Sequence, residues 1–199
     1  FLAENAEFAR ACEKAGLVFI GPDPEAMELM GSKRASKQTL LAAGVPCIPG
    51  YQGEDQSDQT LLAEAEKIGL PVMVKASAGG GGRGMRLVSE PEKLAESIRN
   101  ARAEAKSTFG SDELILEKAI VEPRHIEIQV FADSYGNAVY LGERDCSIQR
   151  RHQKVVEEAP SPFVDEALRR KMGEAAVSAA KACGYIGAGT AESLVDKDK

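Results

Sequence analysis

No two cysteines in this chain are spaced as C-x-x-C. Cys12, Cys47, Cys146 and Cys183 are widely scattered, which argues against a disulfide framework and predicts reduced, partly buried thiols. No apolar run approaches membrane-spanning length and no signal peptide is visible, so no membrane partner is expected. Concentrated positive charge is missing too. The net charge is −6, whereas neutralising a phosphate backbone needs clustered cations, so no nucleic acid is expected. The one basic cluster, Arg150, Arg151, His152 and Lys154, is small and runs into Glu157 and Glu158. There is no internal repeat and no low-complexity tract. An initiating methionine is also lacking: the chain starts at Phe1-Leu2 and stops at Lys199, and both ends are expected to be cut from something longer.

What is present is 199 residues, 43% of them hydrophobic, enough to bury a core in one domain or two small ones. The most informative stretch runs from Leu70 to Val88, LPVMVKASAGGGGRGMRLV. Val72, Val74, Leu87 and Val88 favour extended backbone, which predicts strand, glycine turn, strand. Gly79, Gly80, Gly81, Gly82 and Gly84 let backbone N–H groups approach an anion, with Lys75 and Arg83 alongside. No helix follows the turn and no Gly-Lys-Ser/Thr is present, so neither the dinucleotide fingerprint nor the P-loop applies. A glycine flap over nucleotide phosphates fits, and a plain hairpin tip stays open as the alternative.

Other elements follow from pattern. Asn5 to Ala15 reads as an amphipathic helix, Leu17–Ile20 as a short buried strand, and Glu25–Met30 as a helix opened by Pro24. Ser32 caps a helix from Lys33 to Ala43, and Pro49-Gly50 reads as a linker. Gln59–Ile68 and Glu90–Ser107 are predicted helices, and Glu113–Glu117 a strand. His125–Phe131 alternates strictly and is a strand with two distinct faces. Ala138–Glu143 returns from it, Arg144–Val156 stays β-permissive, Asp165–Cys183 is a helix, and Gly189–Val195 is a last strand.

Three polar groupings stand out. Lys33 and Lys75 each sit where an element begins or ends, and lysine is a compact point charge suited to phosphate. On extended backbone Gln149, Arg151 and Gln153 share one face of the string Glu143–Lys154, and Arg150, His152 and Lys154 the other. That row suits a small anion, with a solvated edge strand as the alternative. Glu192 lies among small apolar residues, where a carboxylate needs a salt bridge or a metal such as Mg²⁺.

Together these strings resemble a biotin carboxylase of the ATP-grasp superfamily, over essentially the whole chain. The diagnostic ones are Met30-Gly-Ser-Lys33, Gly44-Val-Pro46, Val74-Lys-Ala-Ser77 with its glycines, Glu117-Lys118, and Pro123 to Gln129. Glu143 to Pro160 and Gly187-Ala-Gly-Thr190 complete the set. The stretch from Tyr51 to Gln56 is most similar to α-subunits of methylcrotonyl-CoA or geranyl-CoA carboxylases. The resemblance implies an α/β (α+β) ATP-grasp fold, incomplete at both ends. Residues 1–46 would end an N-terminal β/α domain, 47–119 would be the flap domain, and 120–199 the first part of the C-terminal core.

The implied reaction is ligation: Mg·ATP-dependent carboxylation of biotin by bicarbonate through carboxyphosphate. By resemblance, Lys33, Lys75, His125, Gln149 and His152 reach ribose and phosphates, and Gly79 to Gly84 with Arg83 form the flap. Glu117, Lys118, Ile120 and Leu194 lie around adenine, Lys154 meets bicarbonate, and Glu192 binds Mg²⁺ (or Mn²⁺). Biotin would arrive on a carrier domain outside this chain. A carboxyltransferase β-subunit and an oligomeric parent are implied, in bacterial cytoplasm or mitochondrial matrix. Two departures matter. Ala191 and Ser193 replace bulkier residues beside Glu192, and the family's second metal carboxylate and its arginines lie beyond Lys199, so this piece alone is not expected to turn over. The rivals are a carbamoyl-phosphate type ATP-grasp ligase and a non-catalytic nucleotide-binding remnant.

Overall fold

The computed structural model describes residues 2–78, 84–150 and 153–196. In chain order the elements are α1 (Ala6–Lys14), α2 (Pro24–Gly31), α3 (Lys33–Ala42), β1 (Gly50–Tyr51), α4 (Asp58–Ile68), β2 (Val72–Ala76) and β3 (Met85–Val88). Then come α5 (Leu94–Phe109), β4 (Leu114–Lys118), β5 (Arg124–Ala132), β6 (Ala138–Arg150), β7 (Gln153–Glu158), α6 (Glu166–Ala182) and β8 (Gly187–Val195). They form two compact units. One comprises Gly31–Gln38 and Cys47–Val121; the other comprises Phe1–Met30, Thr39–Pro46 and Glu122–Lys199.

The first unit is built on an antiparallel sheet in the order β1-β4-β2-β3. Alternation sorts its residues. Val72, Val74, Leu114 and Leu116 are fully buried against Leu61 and Ala65 of α4 and Ile98, Ala101 and Ala105 of α5. Burying each such aliphatic side chain contributes about 1.5–3 kcal/mol. Ser57 caps α4 by accepting from the Thr60 N–H, and Gly110 ends α5 at φ 77°. Ahead of α5, Pro91–Lys93 form one 3₁₀ turn, so the helix starts later than its composition predicts. Gly50 is not in a linker: it pairs with Glu117 as part of β1. A Cβ there would lie 2.1 Å from the Leu116 carbonyl oxygen, so only glycine permits this pairing.

The second unit carries the antiparallel sheet β7-β6-β5-β8 with α6 on one face. Ile126, Ile128, Val130 and Val195 pack against Met172, Ala176 and Ala180 of that helix. Asp165 caps α6 through the Leu168 N–H, and Asn5 caps α1 through the Phe8 N–H. The buried strand expected at Leu17–Ile20 does not form. Those residues make no strand, and Val18 and Ile20 are 91% and 97% exposed. Apolar β-branched residues become a strand only when a neighbouring edge accepts their backbone groups, and no described strand pairs with them.

Candidate functional site

Each unit holds one concentrated polar cluster. In the first, β2 and β4 run antiparallel with Lys75 opposite Ile115 and Met73 opposite Glu117. Lys75 and Glu117 are therefore diagonal neighbours on the sheet face turned away from α4 and α5, a spacing that long side chains span. They form an ion pair. The other carboxylate oxygen of Glu117 accepts from Lys37 Nζ at 2.8 Å. Lys37 lies one turn after Lys33 on α3, on the same helix face. The N-terminus of α3 is fixed where the Lys33 N–H donates to the Ser77 carbonyl at 3.1 Å, directly after β2.

All these groups are substantially buried, with the side chains of Lys37, Glu117 and Lys75 only 8%, 11% and 18% exposed. Burial opposes ionisation of Glu117, but Lys75 and Lys37 outweigh it and hold its carboxyl below the usual range. Burial, and then repulsion from Lys75, push the Lys33 ammonium below its ordinary pKa. Two ammonium groups that repel each other in a half-buried place form a site an anion would relieve. Lys118 points elsewhere: its Nζ donates to the Gly69 and Leu70 carbonyls, both at 3.0 Å. Ile120 is half-buried just past β4. Gly84, at φ 69°, accepts from the Ala76 N–H at 3.0 Å and closes the hairpin. Gly79, Gly80, Gly81, Gly82 and Arg83 lie outside the described residues.

In the second unit the polar cluster covers the sheet face opposite α6. Glu127 on β5 stands directly across from Arg144 on β6 and Glu192 on β8. Two carboxylates placed opposite each other repel, and Lys154 compensates. Its Nζ pairs with Glu127 and with Glu192, the latter at 2.6 Å. Arg144 also donates to Glu127, at 2.5 Å. Burial opposes charge on Lys154, yet the two carboxylates raise its pKa overall. Burial likewise opposes ionisation of Glu127, and Lys154 and Arg144 win, holding its carboxyl low. Sequence reasoning left out Glu127, Arg144 and Lys37. The strict alternation of His125, Glu127 and Gln129 was the signal for the first.

Gln149 holds His125 in place. Gln149 Nε2 donates to the Cys146 carbonyl at 2.8 Å and also lies 2.8 Å from His125 Nδ1. The remaining ring nitrogen of His125 is Nε2. That Nε2 is buried, makes no hydrogen bond, and lies 3.5 Å from a Glu192 oxygen. Leu194, opposite His125 on β8, is exposed.

The strand pattern departs from expectation here. The residues from Arg144 to Val156 are not one strand, because β6 and β7 are antiparallel with Gln149 opposite Lys154 and Arg150 opposite Gln153. Gln149 and Lys154 thus share a face rather than opposing faces; His152 and Arg151 lie outside the described residues. Of the two partners expected for Glu192, the salt bridge forms, to Lys154, and its side chain is 53% exposed because Ala191 rather than Glu192 turns toward the core. Glu143, at the start of the string Glu143–Lys154, faces the other way. It is buried on the α6 side, where Arg169 grips it with two hydrogen bonds of 2.7 Å.

Residues 32–199 match the family described as carbamoyl-phosphate synthase L chain, ATP binding domain, and residues 1–27 match biotin carboxylase, N-terminal domain. The chain is 57% identical over 198 residues to the mitochondrial methylcrotonoyl-CoA carboxylase subunit alpha of Dictyostelium discoideum, covering 100% of this chain and 28% of that protein. It is 54% identical over 197 residues to the biotin carboxylase of Nostoc sp., covering 99% of this chain and 44% of that one. Among solved structures, the Campylobacter jejuni biotin carboxylase in a β,γ-ATP complex superposes with a TM-score of 0.95 at 50% identity, over 100% of this chain and 44% of that one. The biotin carboxylase domain of Hydrogenobacter thermophilus 2-oxoglutarate carboxylase, solved with MgADP, ADP and bicarbonate, gives 0.93 at 50% identity, again over 100% and 44%.

Proposed function

The chain belongs to the family of the carbamoyl-phosphate synthase L chain ATP binding domain, in its biotin carboxylase form, and from that membership we propose that it supplies the nucleotide-binding part of a biotin carboxylase. The full-length enzyme would carboxylate carrier-borne biotin with bicarbonate at the expense of ATP, through carboxyphosphate. The observation that carries this reading is the convergence of Lys37 and Lys75 on Glu117, with Lys33 coupled to both Lys75 and Glu117. More positive than negative charge is gathered there, as a polyphosphate requires.

Lys33 and Lys75 bind phosphates in this account, and Gly79–Gly84 with Arg83 cover them. Glu117, Lys118, Ile120 and Leu194 lie around adenine, and His125, Gln149 and His152 hold ribose and phosphates. Lys154, kept charged by Glu127 and Glu192, holds the bicarbonate anion; Lys75 and Lys154 are the residues assigned to catalysis. Glu192 is an exposed, hard carboxylate and fits a divalent ion shared with phosphates, whereas Glu127 with Cys146 and Glu157 does not: Glu127 is already neutralised and a thiol is a soft donor. When bound, Mg²⁺ or Mn²⁺ would neutralise phosphate oxygens as charge develops. The relatives favour a methylcrotonoyl-CoA type acceptor, and with it a carrier domain and a carboxyltransferase β-subunit. The free cysteines suit a reducing compartment, bacterial cytoplasm or mitochondrial matrix.

The test is ATP cleavage by the full-length protein with and without bicarbonate and biotin. Cleavage that requires both supports the proposal. Cleavage driven by ammonia or glutamine would favour the carbamoyl-phosphate rival, and no nucleotide binding would favour a remnant.

A further inference from the structure

A lysine that is 6% exposed needs a reason, because burying an ammonium costs far more than burying a methylene chain gains. Lys37 donates to Glu117 at 2.8 Å, on the oxygen that Lys75 does not use. Helical spacing puts it on the same face of α3 as Lys33, and no ligand contact is assigned to it. We propose that Lys37 is a positioning residue: it keeps Glu117 neutralised, so that Lys75 is free to leave this carboxylate for a nucleotide phosphate. The inference rests on the reading of Lys75 as a phosphate ligand.

The charge arithmetic favours this role. With Lys37 in place, departure of Lys75 leaves a neutral buried pair. Without Lys37, the same movement takes the last described hydrogen-bonding lysine from a carboxylate that is 8% exposed, and that loss is strongly unfavourable. Lys75 then stays on Glu117, and the phosphates lose its charge. The cost falls on ligands that carry phosphates and spares ligands that do not. A residue that merely held α3 against the sheet would affect both.

The experiment uses the full-length protein and measures equilibrium affinity for MgATP and for adenosine. Lys37→Met is expected to weaken MgATP binding by roughly tenfold or more while adenosine stays within about twofold. Lys37→Arg, which keeps the charge, restores ATP affinity. Should Lys37→Met fail to fold, Lys37→Gln carries the same test. Unchanged ATP affinity, an equal loss for adenosine, or no recovery in Lys37→Arg overturns the inference. Lys75→Gln is the control: if it binds MgATP as wild type does, the phosphate reading beneath the inference has failed instead.

Discussion

In one unit two lysines share a single carboxylate, and in the other two carboxylates share a single lysine. Lys37 and Lys75 meet on Glu117; Glu127 and Glu192 meet on Lys154. Both arrangements sit on the open face of a four-stranded antiparallel sheet whose other face packs on helices. Both arise from register: diagonal neighbours in the first, directly opposed residues in the second. In the first, the surplus ammonium suits phosphate. In the second, Lys154 and Arg144 balance Glu127 and Glu192, and the two carboxylates keep Lys154 protonated. The same β-sheet geometry therefore yields two clusters that differ in which charge is shared.

The sharpest way to break the comparison is to remove the buried carboxylate of the second cluster. Glu127→Ala leaves Lys154 and Arg144 without their buried partner, and a stability loss of about 3–5 kcal/mol is expected for that unit. Denaturant titration of the full-length protein measures it, and a change below about 1 kcal/mol, typical of exposed pairs, would show that the cluster is effectively solvated. Lys154→Gln is expected to raise the KM for bicarbonate by roughly tenfold, about 1.4 kcal/mol, read from the bicarbonate dependence of biotin carboxylation. An unchanged KM would remove Lys154 from the anion site.

Acid should separate the clusters from ordinary surface pairs. Arg169 holds Glu143 low, and Lys154 with Arg144 overcome burial to hold Glu127 low. A depressed carboxyl stabilises the fold above its unfolded pKa of about 4.3, and that stability is lost as pH falls through the folded value. Stability measured from pH 7 downward should hold to about pH 5 and then decline, and Glu143→Gln should flatten that limb. An equally steep limb in Glu143→Gln would contradict the assignment. The smallest effect is expected at a helix cap: Asp165→Ala frees the Leu168 N–H and should cost about 1 kcal/mol without altering nucleotide affinity.

Much of this was readable in the residues, for identifiable reasons. The strict alternation of His125–Phe131 and the helical patterns of Asn5–Ala15, Gln59–Ile68 and Asp165–Cys183 are local signals, and the elements formed where they pointed. Leu17–Ile20 failed because a strand needs a partner that its own residues do not specify. The reversal of direction from β6 to β7 was missed because both stretches are equally β-permissive and periodicity alone does not separate them. Lys37 was invisible for a third reason. A lysine on an amphipathic helix reads as solvated surface until the sheet it faces is known to present Glu117.

The most direct test of the two-cluster account is a side-by-side measurement of MgATP affinity for Lys75→Gln and Lys154→Gln in the full-length protein. The account predicts that Lys75→Gln loses about 2–4 kcal/mol, the scale of removing one electrostatic stabiliser, while Lys154→Gln binds ATP as wild type does. Equal losses in both variants, or the larger loss in Lys154→Gln, would contradict it.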